Sequence, residues 1–185
     1  MNYIVLSPGR TGGTLIVANL NSLTPCDETA YIEHQPKMLD SADLRFVTST
    51  HTPKQTKNNI PVFSRRRCIY NAVLSMAVME HTHESHHYTT DWDNHHFTLS
   101  VKHFIINYMY FLNFYNQIDL SAYDCAPIDV YYCDLIDDPL YLFKQFGIEK
   151  ETNYSLCKKS PSRHNMILNL DDIKEVCHKQ RWAIN

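Results

Sequence analysis

The chain has 185 residues, of which 44% are hydrophobic and 20% are charged, and its 17 basic and 20 acidic residues leave a net charge of −3. This length allows one domain with its own hydrophobic core, and the near-neutral charge argues against a general nucleic-acid binder or a polybasic membrane binder. The N-terminal apolar run of about four residues is too short for a signal-peptide core, and no run of about 18 apolar residues occurs. We therefore expect a single cytoplasmic domain over residues 1–185, with no nucleic-acid or membrane partner.

The N-terminal part of the chain predicts strands that alternate with helices. Apolar runs that end at glycine or polar residues predict strands at 3–6, 44–47 and 60–63. Apolar residues at helical spacing predict a helix at residues 14–23 and a second helix from Ile69 to about Val78. Strand, glycine-rich turn and helix is the order in which many phosphate-binding α/β domains begin.

The C-terminal part continues the pattern after a polar interruption. Residues 80–96 hold six of the eleven histidines and are predicted to form an excursion from the core. Apolar spacing then predicts a long, largely buried helix of about five or six turns between Phe97 and Tyr115. A strand, a short helix and a final helix are predicted at residues 128–132, 139–146 and 171–181.

The alternation of strands and helices predicts a three-layer α/β/α fold with a mainly parallel sheet. In such folds the helices cover both faces of the sheet, and ligands bind at the carboxyl ends of the strands. The polar and glycine-rich motifs of this chain follow the predicted strands directly, so we expect them to meet at that edge.

Glycine is the most unevenly distributed residue of the chain. There are four glycines, and three of them, Gly9, Gly12 and Gly13, lie within five residues of one another. Glycines let successive backbone N–H groups turn toward one point, and Arg10 and a helix start add positive charge and further donors, so this segment predicts an anion cradle. It lacks the lysine of a nucleoside-triphosphatase loop.

This segment resembles the 5′-phosphosulfate-binding loop of the sulfotransferases that use 3′-phosphoadenosine 5′-phosphosulfate (PAPS). The residues that carry the resemblance read Gly-Arg-Thr-Gly-Gly-Thr-Leu from Gly9 to Leu15. In that family an arginine at a strand end and a serine eight residues later hold the 3′-phosphate, and Arg67 and Ser75 have this spacing. A guanidinium and a hydroxyl so placed suit one phosphate.

Further segments match the family in the same order along the chain. Tyr132 to Leu135 resembles its Tyr-Glu-Asp-Leu segment, with Cys133 in place of the glutamate, and residues 165–176 resemble the closing helix of small bacterial or phage-type members. The late Arg-Lys-Gly segment of the cytosolic members has no counterpart after Gly147, although Lys158, Lys159 and Arg163 are alternatives.

The resemblance implies a P-loop-like sulfotransferase fold, PAPS as donor, PAP as product and a role for each matching residue. Arg10 would serve in binding and catalysis, Arg66 would help Arg67 at the 3′-phosphate, and Tyr132 would contact the adenine or else act as a core residue at the strand end. The remaining implied cofactor-binding residues are Thr11, Gly12, Gly13, Thr14, Leu15 and Ser75.

A catalytic base is implied by the segment that follows the second predicted strand. Thr50-His51-Thr52-Pro53 resembles the Lys-Thr-His-x-Pro stretch of cytosolic sulfotransferases, in which the histidine is the base, although Ser49 stands where that family has lysine. A neutral imidazole suits this role because its ordinary pKa lies near ~6.5. His51 is therefore the predicted base, for a small-molecule or glycan acceptor.

Three alternatives stay open at this point. The first is a P-loop kinase that uses ATP or GTP, and the second is a catalytically inactive nucleotide-binding protein of the same fold. The third concerns the histidines: His83 and His87 have the spacing of two zinc ligands, but the His-Glu-x-x-His pattern is absent. The six cysteines contain no Cys-x-x-Cys pair, so we expect free thiols and no metal.

Overall fold

The computed structural model describes residues 2–13, 15–16, 47–50, 59–83, 95–123, 125–138, 141–146 and 164–184. The chain is an α/β protein that divides into two compact units, each made of two segments. The first unit comprises Met1–Arg67 and Phe114–Cys157, and the second comprises Cys68–Asn113 and Lys158–Asn185. One domain over residues 1–185 stays a prediction.

The first unit contains a parallel β-sheet with four described strands. They are β1 (Asn2–Leu6), β2 (Val47–Thr50), β3 (Asn59–Arg65) and β4 (Ile128–Tyr131), in the spatial order β2-β1-β3-β4. Each neighbouring pair is parallel, so all four carboxyl ends lie at one edge. The predicted parallel sheet is confirmed.

The central strands are apolar on both faces, as expected for a covered parallel sheet. Ile4, Val5 and Leu6 of β1 are buried, and Val62 and Phe63 of β3 are buried beside them. Leu6 pairs with both Thr50 and Phe63, which aligns the ends of β1, β2 and β3.

The described helices fall into both units. They are α1 (Ile69–Thr82), α2 (Val101–Asn113), α3 (Tyr132–Asp137), α4 (Tyr141–Gln145) and α5 (Leu170–Gln180). In the first unit, Val5, Val62 and Val130 of the sheet form a core with Ile16, Leu135 and Leu142. Gly13, Leu15 and Ile16 have helical backbone, which confirms the start of the helix predicted at 14–23, and residues 17–23 lie outside the described residues.

The second unit has its own apolar core, built from α1, α2 and α5. Val73 and Ala77 of α1, Phe104 and Tyr108 of α2, and Ile173 of α5 are among its buried members. Tyr108 also stacks on Trp182, with ring centroids 4.0 Å apart. The predicted helix from Ile69 is confirmed and extends to Thr82, so it includes the first residues of the predicted excursion.

The prediction of one long helix between Phe97 and Tyr115 was wrong at both ends of the helix. Helix α2 has 13 residues, Phe97 instead pairs with Ile167 in an isolated bridge, and Tyr115 lies in a separate 3₁₀ turn. Its burial was also overestimated, since Ile106, Met109 and Leu112 are exposed. Helical periodicity cannot reveal a partner strand seventy residues away, and that pairing holds Phe97 out of the helix.

Smaller differences concern the remaining predicted elements. Strand β2 continues from Val47 into the polar residues up to Thr50, because backbone pairing with β1, and not hydropathy, sets its extent. Tyr132 is the first residue of α3 and not the last residue of β4. The described part of the predicted helix at 139–146 is α4, and α5 begins one residue before the predicted final helix. Within the described residues, no helix is both long and apolar enough to cross a membrane.

Candidate functional site

The strand order creates a natural ligand position between β1 and β3. β1 is central, with β2 on one side and β3 on the other, so connections from neighbouring strands diverge at this point. In open α/β sheets, ligands bind in the crevice at the carboxyl ends of the strands where the order reverses. The segment after β1 is the glycine loop, which we define as residues 7–13, and the segment after β3 contains Arg66 and Arg67.

The backbone of the glycine loop takes left-handed conformations at three of its residues. The φ angles are +77° at Gly9, +50° at Arg10 and +94° at Gly12. Glycine adopts such angles without steric cost, whereas a residue with a side chain, such as Arg10, does so at a cost of about 1–2 kcal/mol. Consecutive unusual angles of this kind let a loop turn several N–H groups to one side.

Two side chains of the β3 segment hold the glycine loop by its carbonyl groups. The Ser64 hydroxyl donates a buried hydrogen bond of 2.7 Å to the carbonyl oxygen of Thr11. The Arg66 Nε–H donates one of 3.0 Å to the carbonyl oxygen of Arg10. The Tyr115 hydroxyl donates to the backbone carbonyl of Ser64 and so connects a third segment. The glycine loop and the end of β3, more than fifty residues apart in sequence, are therefore in direct contact.

Thr11 carries a hydroxyl group that is buried without a partner. The residue is 2% exposed, and its Oγ1 forms no hydrogen bond within the described part of the chain. Leaving a hydroxyl buried and unsatisfied costs about 1–3 kcal/mol, and such groups in folded proteins call for an explanation. A bound anion that accepts a hydrogen bond from Thr11 would supply one.

Tyr132 packs directly over the glycine loop. A Cβ atom placed on Gly12 would lie 2.6 Å from Cδ2 of this ring, which is closer than two carbon atoms can approach. The Arg66 guanidinium also lies over the Tyr132 ring, with its Cζ 3.8 Å from the ring centroid. Tyr132 therefore supports the loop, and its predicted contact with adenine stays a prediction.

The charge of Arg10 is partly withdrawn from water. Burial lowers the pKa of the Arg10 guanidinium, and the nearby Tyr132 hydroxyl acts in the opposite direction. A guanidinium remains protonated at neutral pH despite such a shift. A desolvated cation gains more from an anion than an exposed one does, which favours an anionic ligand at this loop.

Arg67 lies at the same sheet edge in an ion pair with Asp134. Its Nη2 is 3.0 Å from each carboxylate oxygen of Asp134, and this hydrogen-bonded pair raises the pKa of Arg67. Its Cζ is 5.1 Å from the Tyr131 ring centroid. Burial and the adjacent Asp134 raise the pKa of the Cys133 thiol, so this thiol stays protonated at neutral pH.

The other predicted site residues are placed as follows. Leu15 lies in the helical backbone that follows the glycine loop, and Ser75 lies within α1 of the second unit. His51 and Thr14 lie outside the described residues, as do Lys158, Lys159 and Arg163. The pairing of Ser75 with Arg67 stays a prediction.

The described histidines do not form a metal site. His81 stacks on Phe97 at a centroid distance of 4.1 Å, and His83 ends α1 in a left-handed conformation. Across the described ranges, no three potential ligands of the His, Cys, Asp or Glu type come together. Residues 84–94, which include His86 and His87, lie outside the described residues.

Sequence reasoning missed Ser64 and Asp134. Ser64 is a fully buried polar residue near the end of an apolar strand, two residues before Arg66. Asp134 follows β4, whose carboxyl end lies beside that of β3. Each residue therefore had a signal, namely a polar group at the predicted ligand edge.

No protein-family model, no curated protein and no solved structure matches the chain.

Proposed function

We propose that the protein is a PAPS-dependent sulfotransferase, which moves a sulfuryl group from PAPS to a hydroxyl or amine acceptor. The observation that carries the proposal is the contact between the glycine loop and the residues just before Arg67: Ser64 and Arg66 hydrogen-bond to the carbonyls of the loop at the carboxyl ends of β1 and β3. The buried Thr11 hydroxyl, which has no partner among the described residues, and the partly buried Arg10 fit an anionic group at this position.

Each residue of the proposed site would have a separate role in binding PAPS or in the transfer step. Arg10, Thr11 and the amides up to Thr14 would hold the 5′-phosphosulfate, and Arg67 would hold the 3′-phosphate. Bound PAPS supplies the activated sulfuryl group. Arg10 would stabilise the negative charge that grows on the departing phosphate, and His51 would accept the proton of the acceptor hydroxyl.

Two other functions make different predictions about the ligand. A P-loop kinase would prefer ATP, but the glycine loop lacks the lysine on which such enzymes depend. A catalytically inactive nucleotide-binding protein is favoured by Ser49 and Cys133, which replace residues of the family pattern. Both alternatives use the same sheet edge.

Thermal-shift titration of the full chain with 3′,5′-ADP, 5′-ADP and ATP separates these functions. A ligand at about 100 times its Kd stabilises the folded state by about 2.7 kcal/mol. We expect the largest shift with 3′,5′-ADP and loss of that preference in Arg67→Ala. Arg65→Ala is the matched control, because it removes the same charge from the neighbouring residue. A larger shift with ATP would contradict the proposal, and no shift with any nucleotide would favour an inactive protein.

The role of His51 is tested by separating binding from transfer. His51→Ala should leave the thermal shift with 3′,5′-ADP unchanged and should reduce sulfuryl transfer by about 10²–10⁴-fold, the usual contribution of a general base. Transfer is measured as PAP release with a panel of hydroxyl acceptors. Undiminished turnover in the variant would remove His51 from the mechanism.

A further inference from the structure

The glycine loop is held by its carbonyl oxygens, and this has a consequence for its N–H groups. In a trans peptide the C=O of one residue and the N–H of the next point in opposite directions. The described chain has no cis peptide bond. The carbonyl of Arg10 is therefore opposed to the N–H of Thr11, and the carbonyl of Thr11 to the N–H of Gly12. Fixing the two carbonyls fixes the direction of both amides.

Ser64 near the end of β3 and Arg66 just after it both donate to these carbonyls. Their donors reach the carbonyls of consecutive residues, with Ser64 bound to Thr11 at 2.7 Å and Arg66 bound to Arg10 at 3.0 Å. Both amides are thus turned away from the β3 side chains. Arg10 and Gly12, which flank these two peptide groups, have left-handed φ angles. The two hydrogen bonds therefore also hold the loop in a conformation that Arg10 would otherwise avoid.

The guanidinium of Arg66 is itself held in place. It stacks at 3.8 Å on the ring of Tyr132, and that ring packs against Gly12. A planar guanidinium can stack and donate from Nε at the same time, whereas a lysine ammonium has neither the plane nor this fixed donor. Arg66 is therefore suited to hold the glycine loop in place through its hydrogen bond to Arg10 and its stacking on Tyr132 of α3.

We propose that Ser64 and Arg66 are positioning residues that orient the amides of Thr11 and Gly12 toward a bound anion. Arg66 acts on that anion through the loop and is not a direct ligand of the 3′-phosphate, which revises the role implied by the sequence resemblance. The statement about the 3′-phosphate rests on the proposed function. The statement about the amides concerns any anion at this loop.

The first test needs no ligand and uses the uneven distribution of glycine. Labelling the full chain with ¹⁵N-glycine gives four amide resonances, and three of them, from Gly9, Gly12 and Gly13, report on the loop. We expect Arg66→Gln and Ser64→Ala to shift or broaden these three and to leave the resonance of Gly147 unchanged. Arg65→Gln is the matched control. This substitution removes the same charge, but Arg65 pairs with Asp129 at 2.5 Å and not with the glycine loop. Unchanged loop resonances in Arg66→Gln would overturn the proposal.

The second test separates positioning from direct contact by comparing two nucleotides. Calorimetric titration with 5′-AMP and 3′,5′-ADP measures the affinity with and without the 3′-phosphate. If Arg66 positions the loop, Arg66→Gln should weaken both by the same factor, about tenfold, which corresponds to about 1.4 kcal/mol. Arg66→Lys should not restore binding, and Arg65→Gln should leave both affinities near those of the native chain.

The outcomes distinguish this proposal from the proposed function. A loss confined to 3′,5′-ADP would make Arg66 a direct phosphate ligand and overturn the positioning role, and full rescue by Arg66→Lys would show that charge alone suffices. If the native chain binds neither nucleotide, the proposed function fails, and the glycine spectra alone decide whether Ser64 and Arg66 orient the loop.

Discussion

At Gly12, the backbone angle and a neighbouring ring both exclude a side chain. Its φ of +94° is unfavourable for any residue with a Cβ atom, and such an atom would lie 2.6 Å from Tyr132. We expect Gly12→Ala to lower the free energy of unfolding by about 2 kcal/mol or more, as strain of this kind does. Urea unfolding followed by circular dichroism measures the change.

A second background divides this cost between its two causes. In Tyr132→Ala the ring is absent, so Gly12→Ala should there cost only the backbone term of about 1–2 kcal/mol. An equal cost in both backgrounds would show that the ring does not constrain Gly12. Such a result would also weaken the view that Tyr132 supports the loop.

Asp134 pairs with Arg67, the residue proposed to bind the 3′-phosphate, and would compete with that phosphate. Both carboxylate oxygens accept from Arg67 Nη2 at 3.0 Å, and the Arg67 side chain is 65% exposed, so solvent screens the pair and it contributes little to stability. We expect Asp134→Asn to bind 3′,5′-ADP several-fold more tightly, because it removes a like charge from the ligand's surroundings. The comparison is made by calorimetric titration at fixed ionic strength.

The control for Asp134→Asn is a carboxylate of the preceding strand β4, Asp129, whose ion pair is with Arg65. Asp129 pairs with Arg65, so Asp129→Asn removes one negative charge without freeing Arg67. It should change the affinity less than Asp134→Asn does. Weaker binding in Asp134→Asn would mean that the carboxylate holds Arg67 in its binding orientation.

At the scale of elements, Asn169 joins two segments of the second unit that are far apart in sequence. Its Oδ1 accepts from the Leu99 N–H at 2.9 Å, and its Nδ2 donates to the Leu99 carbonyl at 3.0 Å. The carboxamide thus extends the pairing that begins with the bridge between Phe97 and Ile167. Leu99 is 5% exposed, so its backbone groups would have little access to water if these bonds were lost.

We expect Asn169→Ala to lower the free energy of unfolding by about 2 kcal/mol, because it leaves a backbone donor and a backbone acceptor of Leu99 without partners. Amide hydrogen exchange should accelerate at Leu99. The exposed Asn165 nearby provides the control, and Asn165→Ala should change neither quantity. Unaltered exchange at Leu99 in Asn169→Ala would show that the segment is held by other contacts.

The elements also show what the sequence could predict. Apolar runs and helical spacing predicted β1, β3, β4 and α1, because the residues of these elements that pack in the core are apolar, whereas β2 shares only Val47 with its predicted run. The start of α2 depended on tertiary structure: Phe97 pairs with Ile167, and the helix begins after Ser100, whose carbonyl accepts from the Phe104 N–H. Hydrophobic period carries no information about such distant pairing.

The residue types of the candidate site could be predicted from the sequence, but the contacts between its residues could not. Gly9, Gly12 and Arg10 indicated an anion cradle because glycines let successive backbone N–H groups turn toward one point and arginine adds positive charge. The bond from Ser64 to Thr11 spans 53 residues, and the pair of Arg67 and Asp134 spans 67. These contacts depend on the strand order, which residue spacing alone does not determine.

At the scale of the whole molecule, buried tyrosines in both units link stability to alkaline pH. Burial raises the pKa of Tyr70 and of Tyr108 to about 12 in the second unit, and it raises those of Tyr123 and Tyr141 in the first. An ordinary tyrosine in the unfolded chain titrates near ~10. Below pH ~10 these residues are protonated in both states. Above it the unfolded chain loses protons first, so the free energy of unfolding falls until the folded state titrates as well.

We therefore expect the free energy of unfolding to decrease between pH 10 and about 12, by up to about 1.4 kcal/mol per pH unit for each tyrosine that the folded state keeps protonated. Urea unfolding at a series of pH values measures the slope, and absorbance of tyrosinate reports when the residues titrate.

Tyr108→Phe isolates one contribution, because the ring can still stack on Trp182 at 4.0 Å while the titrating hydroxyl is gone. The variant should show a shallower slope above pH 10 and the same pH dependence below it. A slope identical to that of the native chain would mean that Tyr108 titrates normally in the folded protein, and that its burial does not contribute to the alkaline limit of the fold.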